Sequence, residues 1–200
     1  MLFLKFLDDF QSLNIPNDIC SRTFSIIKSM MTKNELHYHS FKHIESIFNF
    51  IEQNNIKTTT LERMVLYFHD VIYSPKSKNN EEYSCGFCRS ILEPYLAEDK
   101  IDWITKGILT TKLHLIRNNN EIYNLILDLD ISSFANPSYE IYSLNTQLLE
   151  KEFYFVENFK EKRKDFLKQL LNKGPVYRSD QFERFEQIAQ NNIKKDLETL

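Results

Sequence analysis

Glycine is scarce: there are three in 200 residues, Gly86, Gly107 and Gly174, all far apart. Neither the G-x-G-x-x-G turn nor the G-x-x-x-x-G-K-[ST] loop can be built from them, so no glycine-rich cradle is available for phosphate. Any phosphate chemistry here has to use metal and side chains. Cysteine is equally sparse. Cys20, Cys85 and Cys88 are an odd set, and no disulfide framework follows from them. Cys85 and Cys88 do form a C-x-x-C pair. A four-ligand zinc site would need a second such pair, unless a histidine contributed, and a thioredoxin-like motif would need a strand in front. Both cysteines therefore read as plain helix positions.

Long apolar runs are also missing. None approaches the roughly 20 residues that cross a bilayer. The opening stretch, Met1 to Leu13, carries Lys5, Asp8 and Asp9 among its apolar residues. It lacks a basic front and a small-residue cleavage site, and reads as an amphipathic helix of the fold instead of a signal peptide. The expected location is the cytoplasm. Strong charge of either sign is absent too. A formal net charge of -3 gives no general attraction to duplex nucleic acid or to an anionic membrane.

What the chain does have is core material. Hydrophobic residues make up 42%, and there are 16 Phe and 10 Tyr, which excludes a disordered composition. A chain of this length fits one domain, residues 1–200. Nearly every segment repeats at helical period. After the first helix, Asn17 caps a second, with Ile19, Thr23, Ile26, Ile27 and Met30 on its apolar face. Ser40 caps a third, in which Phe41, Ile44, Ile47, Phe48 and Ile51 recur at three and four. Gln53 to Thr60 is a loop. Leu61, Met64, Val65 and Phe68 open a helix that ends near Asp70.

Ser74 to Asn80 is turn-rich, and helix resumes over Glu81 to Leu92 until Pro94. Another helix spans Asp99 to Leu113, followed by a polar turn at Arg117 to Asn120. Ile122, Leu125, Ile126 and Leu129 mark a helix through Asp130. Pro137 suits the first turn of a further helix. The remainder, Tyr139 to Leu200, reads as two or three helices interrupted at Gly174 and Pro175. No alternating strand, repeat or linker stands out. The expectation is an all-α, irregular single-domain bundle of nine or ten helices.

The histidines are clustered. His37, His39 and His43 fall within seven residues, His69 directly precedes Asp70, and His114 stands on a later helix. On a helix His39 and His43 would share a face. His69 and Asp70, as neighbours, can reach one ion only near a helix end, and Ser74-Pro75 offers the break. A mixed imidazole and carboxylate set suits Zn, Mn, Fe, Co or Ni, with Mg less suited to the imidazoles. Burying such groups is costly unless they are paired or bound to metal. Asp128 and Asp130 sit near a helix C-terminus, where acids oppose the macrodipole and a cation would compensate. His37, beside a loop, reads as a surface residue, and the run Lys160 to Lys168 as a solvated helix face.

At these residues the chain resembles the HD superfamily of metal-dependent phosphohydrolases, defined by a His, a His-Asp doublet and a distant Asp on helices. It is most similar to a compact branch of that family. That branch carries Tyr-His-x-x-x-His-Ile (here Tyr38 to Ile44), Phe-His-Asp-x-x-Tyr (Phe68 to Tyr73), Asn-Glu-x-x-Ser (Asn80 to Ser84) and Thr-x-x-His (Thr111 to His114). Asp-x-Asp-Leu follows, with Ile131 in the last place, and the tail is similar through Arg163 to Ala189-Gln190-Asn191-Asn192. The resemblance spans about residue 35 to the C-terminus. It divides the single domain into an HD core at about 35–135 and C-terminal helices at 137–200.

The resemblance implies a phosphohydrolase with one or two divalent ions held by His43, His69, Asp70 and Asp130, Asp130 being preferred to Asp128. It implies His39 as general acid, although Ser40 stands where a related motif has Asn. Glu81 would orient water, and Lys112 and His114 would face the substrate phosphate or a second metal. Asn80, Thr111 and Asp128 would support the ligands, and Arg163 would help to neutralise phosphate charge. The segment Ile131 to Ala135 lacks the glycine expected in the branch. The implied substrate is a small phosphate such as a nucleotide, with Tyr38, Phe68 and Tyr73 as candidates to stack on a base, and self-association stays open. Two other readings remain: a catalytically silent module that binds metal and nucleotide, and a helical adaptor with coincidental histidines.

Overall fold

The computed structural model describes residues 1–112, Leu115 and 121–200. His114 and the expected polar turn at Arg117 to Asn120 lie outside the described residues. The described residues form ten α-helices and no strand. They fall into two compact units, Met1–Lys112 and Leu113–Leu200.

The first unit holds six helices: α1 (Leu2–Ser12), α2 (Asn17–Met30), α3 (Phe41–Gln53), α4 (Thr60–Phe68), α5 (Asn80–Leu92) and α6 (Glu98–Thr111). Glycine is not there to end them, and asparagine takes over that task. After α1, Asn14 adopts a left-handed φ of 59°, and after α3, Asn55 adopts 53°. In each case the turn closes with two backbone bonds. Asn14 N donates to Gln11 O at 2.9 Å and Ile15 N to Phe10 O at 3.0 Å. Asn55 N donates to Glu52 O at 3.3 Å and Ile56 N to Ile51 O at 3.0 Å. Asparagine tolerates this backbone because its short polar side chain bonds locally. The isoleucine after each asparagine is buried, which anchors the exit of the chain.

Helix α4 is the centre of this unit. Thr59 starts it with a reciprocal cap: Glu62 N donates to Thr59 Oγ1 at 3.2 Å, and Thr59 N donates to the Glu62 carboxylate at 2.6 Å. Every residue from 63 to 68 is buried, with Met64, Val65, Leu66 and Phe68 fully so. Phe6 and Phe48 pack on the Tyr67 ring at centroid distances of 4.6 and 4.5 Å. The buried arginine is paid for by a partner on α1. Arg63 Nε donates to Asp9 Oδ2 at 2.8 Å and Nη2 to Asp9 Oδ1 at 2.5 Å, and Tyr67 OH donates to Asp9 Oδ2 at 2.9 Å. Arg63 Nη1 also donates to Thr58 O at 2.6 Å. This network ties the first helix to the fourth, and periodicity gives no hint of it.

Several boundaries move. Pro16, not Asn17, precedes the first residue of α2, and Cys20, Thr23 and Ile27 form its buried face while Ile26 is exposed. His39 lies before Ser40 at the start of α3, outside the helix. Helix α4 stops at Phe68, so its end precedes the His-Asp doublet and does not wait for Ser74-Pro75. Cys85 donates its thiol to Thr105 O at 3.2 Å, and Cys88 is fully buried. Burial pushes the Cys85 thiol up to about 11 and raises Cys88 as well. High thiol pKa values leave little thiolate at neutral pH.

The second unit holds α7 (Asn124–Asp130), α8 (Tyr139–Glu152), α9 (Phe159–Asn172) and α10 (Glu186–Thr199). Ser138 caps α8, accepting from Ile141 N at 3.3 Å, which puts Pro137 just ahead of the cap and outside the first turn. Gly174, at φ 106°, ends α9 as the sequence suggests. The turn after α7, Ser132–Ala135, needs no glycine, because no residue in it has a positive φ. Asn192 of α10 braces that turn, donating to Phe134 O at 2.9 Å and Asn136 O at 2.7 Å.

Candidate metal centre

In the first unit His43 stands in the first turn of α3, and His69 and Asp70 follow the last turn of α4. All three are buried, with His69 at 0% exposure. Their ligand atoms lie within 4.8 Å of one another.

The doublet could share one ion. His69 Nδ1 lies 3.0 Å from Leu66 O. A carbonyl only accepts, so Nδ1 carries the proton, and in the neutral ring Nε2 presents a lone pair. That Nε2 lies 3.1 Å from Asp70 Oδ2. Two neighbouring ligands about 2.1 Å from a common ion would be about 3.0–3.4 Å apart. A lone pair and a carboxylate oxygen repel at this distance unless a cation or a proton sits between them. The bond from Nδ1 to a backbone carbonyl is also the arrangement that orients metal-binding histidines. The residues present thus fit a divalent metal.

Around the cluster the aromatic rings crowd together. His43 lies 5.5 Å from His69 and 5.1 Å from Tyr38 between ring centroids. His39 is 6.3 Å from His43, close by despite being off the helix. Its ring stacks on Tyr73 at 4.0 Å, with 14° between the planes. Tyr38, His39 and Tyr73 are half-buried. Phe68 is fully buried and packs near Phe87, so it belongs to the core and does not offer a face to a base. His37 is exposed, as its position beside a loop suggests.

The other expected residues of this unit have definite tasks. Glu81 lies in the first turn of α5. Lys112 Nζ is 3.6 Å from Glu81 Oε2 and 2.7 Å from Glu82 Oε1, and it donates to Lys78 O at 2.6 Å. Its hydrogen bond to Glu82 raises the ammonium's pKa and lowers that of Glu82. Thr111 Oγ1 donates back to Ile108 O in its own helix at 2.7 Å. Asn80 holds both backbone groups of Ser74.

In the second unit the two aspartates of α7 part company. Asp128 is fully buried and accepts from Arg178 N at 2.9 Å, Ser179 N at 2.7 Å and Ser179 Oγ at 2.6 Å. Its carboxylate is committed to anchoring that turn. Burial pushes its pKa up to about 6, against the pull of these donors. Asp130 is the last residue of α7 and is buried, with 9% exposure. Arg163 belongs to another network: its Nη2 lies 3.5 Å from Asp196 Oδ2, and its guanidinium sits over Phe134 at 5.6 Å. Tyr142 OH and Thr146 Oγ1 also donate to that aspartate, at 2.8 and 3.0 Å. The structure thus places Arg163 in the packing of the second unit.

No family model, curated protein or solved structure matches the chain.

Proposed function

We propose that this chain is a metal-dependent phosphohydrolase that cleaves a phosphoric ester or anhydride, with a nucleotide or a related small phosphate as substrate. The observation that carries the reading is the buried His43, His69 and Asp70 donor set with the 3.1 Å approach of His69 Nε2 to Asp70 Oδ2. The ordered resemblance to HD proteins supplies the reaction class, and the reading follows it in taking Asp130 as the fourth ligand. The hydrogen bonds that Asp128 accepts from Arg178 and Ser179 support preferring Asp130.

When bound, the ion would supply Lewis acidity toward a phosphoryl oxygen and would lower the pKa of a water. His43 and His69 offer neutral nitrogens to it, and Asp70 and Asp130 offer negative charge. His39, stacked on Tyr73 and half-buried, would give a proton to the leaving oxygen. Glu81 would orient the attacking water. Lys112 would meet developing phosphate charge by exchanging its hold on Glu82 for the substrate. His114, outside the described residues, would assist at the phosphate.

A second reading is favoured by one observation, the prior neutralisation of Lys112 by two glutamates. On that reading the chain binds metal and nucleotide without turnover. The test is metal content by mass spectrometry on protein purified without chelator, wild type beside Asp70→Ala, with hydrolysis of a nucleotide panel on the same samples. Metal and phosphate release that both vanish in the variant support the enzyme. Nucleotide binding without phosphate release selects the silent module. Wild-type protein that takes up no Mn, Fe, Co, Ni or Zn on reconstitution overturns both.

A further inference from the structure

Tyr73 sits between two residues whose backbones are both held by α5. Ser84, fully buried, accepts from Ile72 N at 3.1 Å and donates to Ile72 O at 3.4 Å. Asn80, one turn earlier on the same face of α5, accepts from Ser74 N at 3.0 Å and donates to Ser74 O at 3.0 Å. Four hydrogen bonds from two side chains thus fix the chain on either side of residue 73. This stretch belongs to no helix or strand, so its backbone groups have no ladder of their own. The Tyr73 ring in turn lies parallel to His39 at 4.0 Å. His39 precedes α3 and is not placed by helix geometry, so the contacts of its ring decide where it points.

We infer that Asn80 and Ser84 are positioning residues for His39, acting through Tyr73: α5 holds residues 72 and 74, and the ring between them sets the imidazole. The pattern Asn-Glu-x-x-Ser gains a physical reason. A spacing of four puts both polar side chains on one face, where they span the two backbone positions that flank an aromatic ring. The functional consequence rests on the proposed role of His39. The positioning itself does not.

The experiment is a ¹H–¹³C NMR measurement of the His39 imidazole on the metal-free, full-length protein, where a stacked tyrosine displaces the ring-proton resonance. Tyr73→Ala gives the reference for complete loss of the stack. The double variant Asn80→Ala, Ser84→Ala is expected to move the His39 resonance more than half way to that reference, with helix content by circular dichroism unchanged. Ser84→Ala alone removes one oxygen atom and serves where the double variant loses helix. Ser84→Thr, which keeps the hydroxyl, is expected to hold the resonance nearer the wild-type position than Ser84→Ala does. A His39 resonance that stays in place in a folded Ser84→Ala protein, while Tyr73→Ala displaces it, overturns the inference. So does a resonance that Tyr73→Ala leaves unmoved. Since the measurement needs neither metal nor turnover, a responsive His39 in a protein that binds no metal would sustain the clamp while defeating the proposed function.

Discussion

Asp128 accepts two hydrogen bonds from Ser179, one from its amide at 2.7 Å and one from its hydroxyl at 2.6 Å. Asp130, two positions on, is proposed as a metal ligand. The two acids should therefore fail in different ways. Asp128→Ala strands the amides of Arg178 and Ser179, and each buried donor left unmade costs about 1–3 kcal/mol. A loss of about 2 kcal/mol lowers Tm by roughly 4–8 °C in a chain of this size. Asp130→Ala is expected to leave Tm within about 2 °C in metal-free protein and to weaken metal affinity tenfold or more. Thermal melts and metal titration on the two variants check this. The reverse pattern would reassign the ligand.

Asp9 and Arg63 form a buried pair, with exposures of 3% and 9%. Removing one partner leaves the other charged and buried, at a cost of about 3–5 kcal/mol. Asp9→Ala should show that loss in urea denaturation. The double change Asp9→Leu, Arg63→Met should recover most of it, because neither charge then remains to be buried. Equal destabilisation in the single and double variants would show that packing, and not charge, carries the contact.

Asn55 holds a left-handed backbone at φ 53°. For a residue with an ordinary Cβ that conformation costs about 1–2 kcal/mol. Asn55→Ala is expected to destabilise by about 1 kcal/mol, and Asn55→Gly to be neutral or stabilising. Denaturant midpoints at unchanged slope would read the difference.

The thiols should be quiet. With Cys85 pushed up to about 11, its thiolate fraction at pH 8 is about one in a thousand, against about one in four for an ordinary thiol of pKa about 8.5. Iodoacetamide labelling of native protein at pH 8 should be slower than labelling of denatured protein by at least a hundredfold. The sign for stability follows. The folded thiol keeps its proton to higher pH than the unfolded one, so this contribution is present below about pH 9 and is lost as pH rises toward 11. Stability that increases over that range would contradict the assignment.

The all-helical architecture was legible because apolar residues at three and four leave no alternative to helix in α3 or α4. The donor residues were legible because His43, His69 and Asp70 are chemistry-bearing types beside apolar stripes. Other features were hidden for reasons that can be named. The bond between Asp9 and Arg63 spans 54 positions, and no local pattern encodes a partner that packing selects. The spacing of four would put His39 and His43 on one face only within one helix. Ser40 caps that helix after His39, whose ring stacks on Tyr73 instead. The task of Asp128 was hidden because its donors, Arg178 and Ser179, lie about 50 positions away. The break at the His-Asp doublet was expected too late because Pro75 is the visible breaker, whereas α4 ends at Phe68 without one.

The bond from α1 to α4 also bears on where protein synthesis can begin. Met30 and Met31 are further methionines near the front of the chain. A product initiated at either would contain every proposed ligand and every residue of the α5 clamp. It would lack α1 and Asp9, and Arg63, on the helix that leads to His69 and Asp70, would have no counter-charge from α1. Such a product is expected to be less stable than the full chain, although it keeps every proposed ligand.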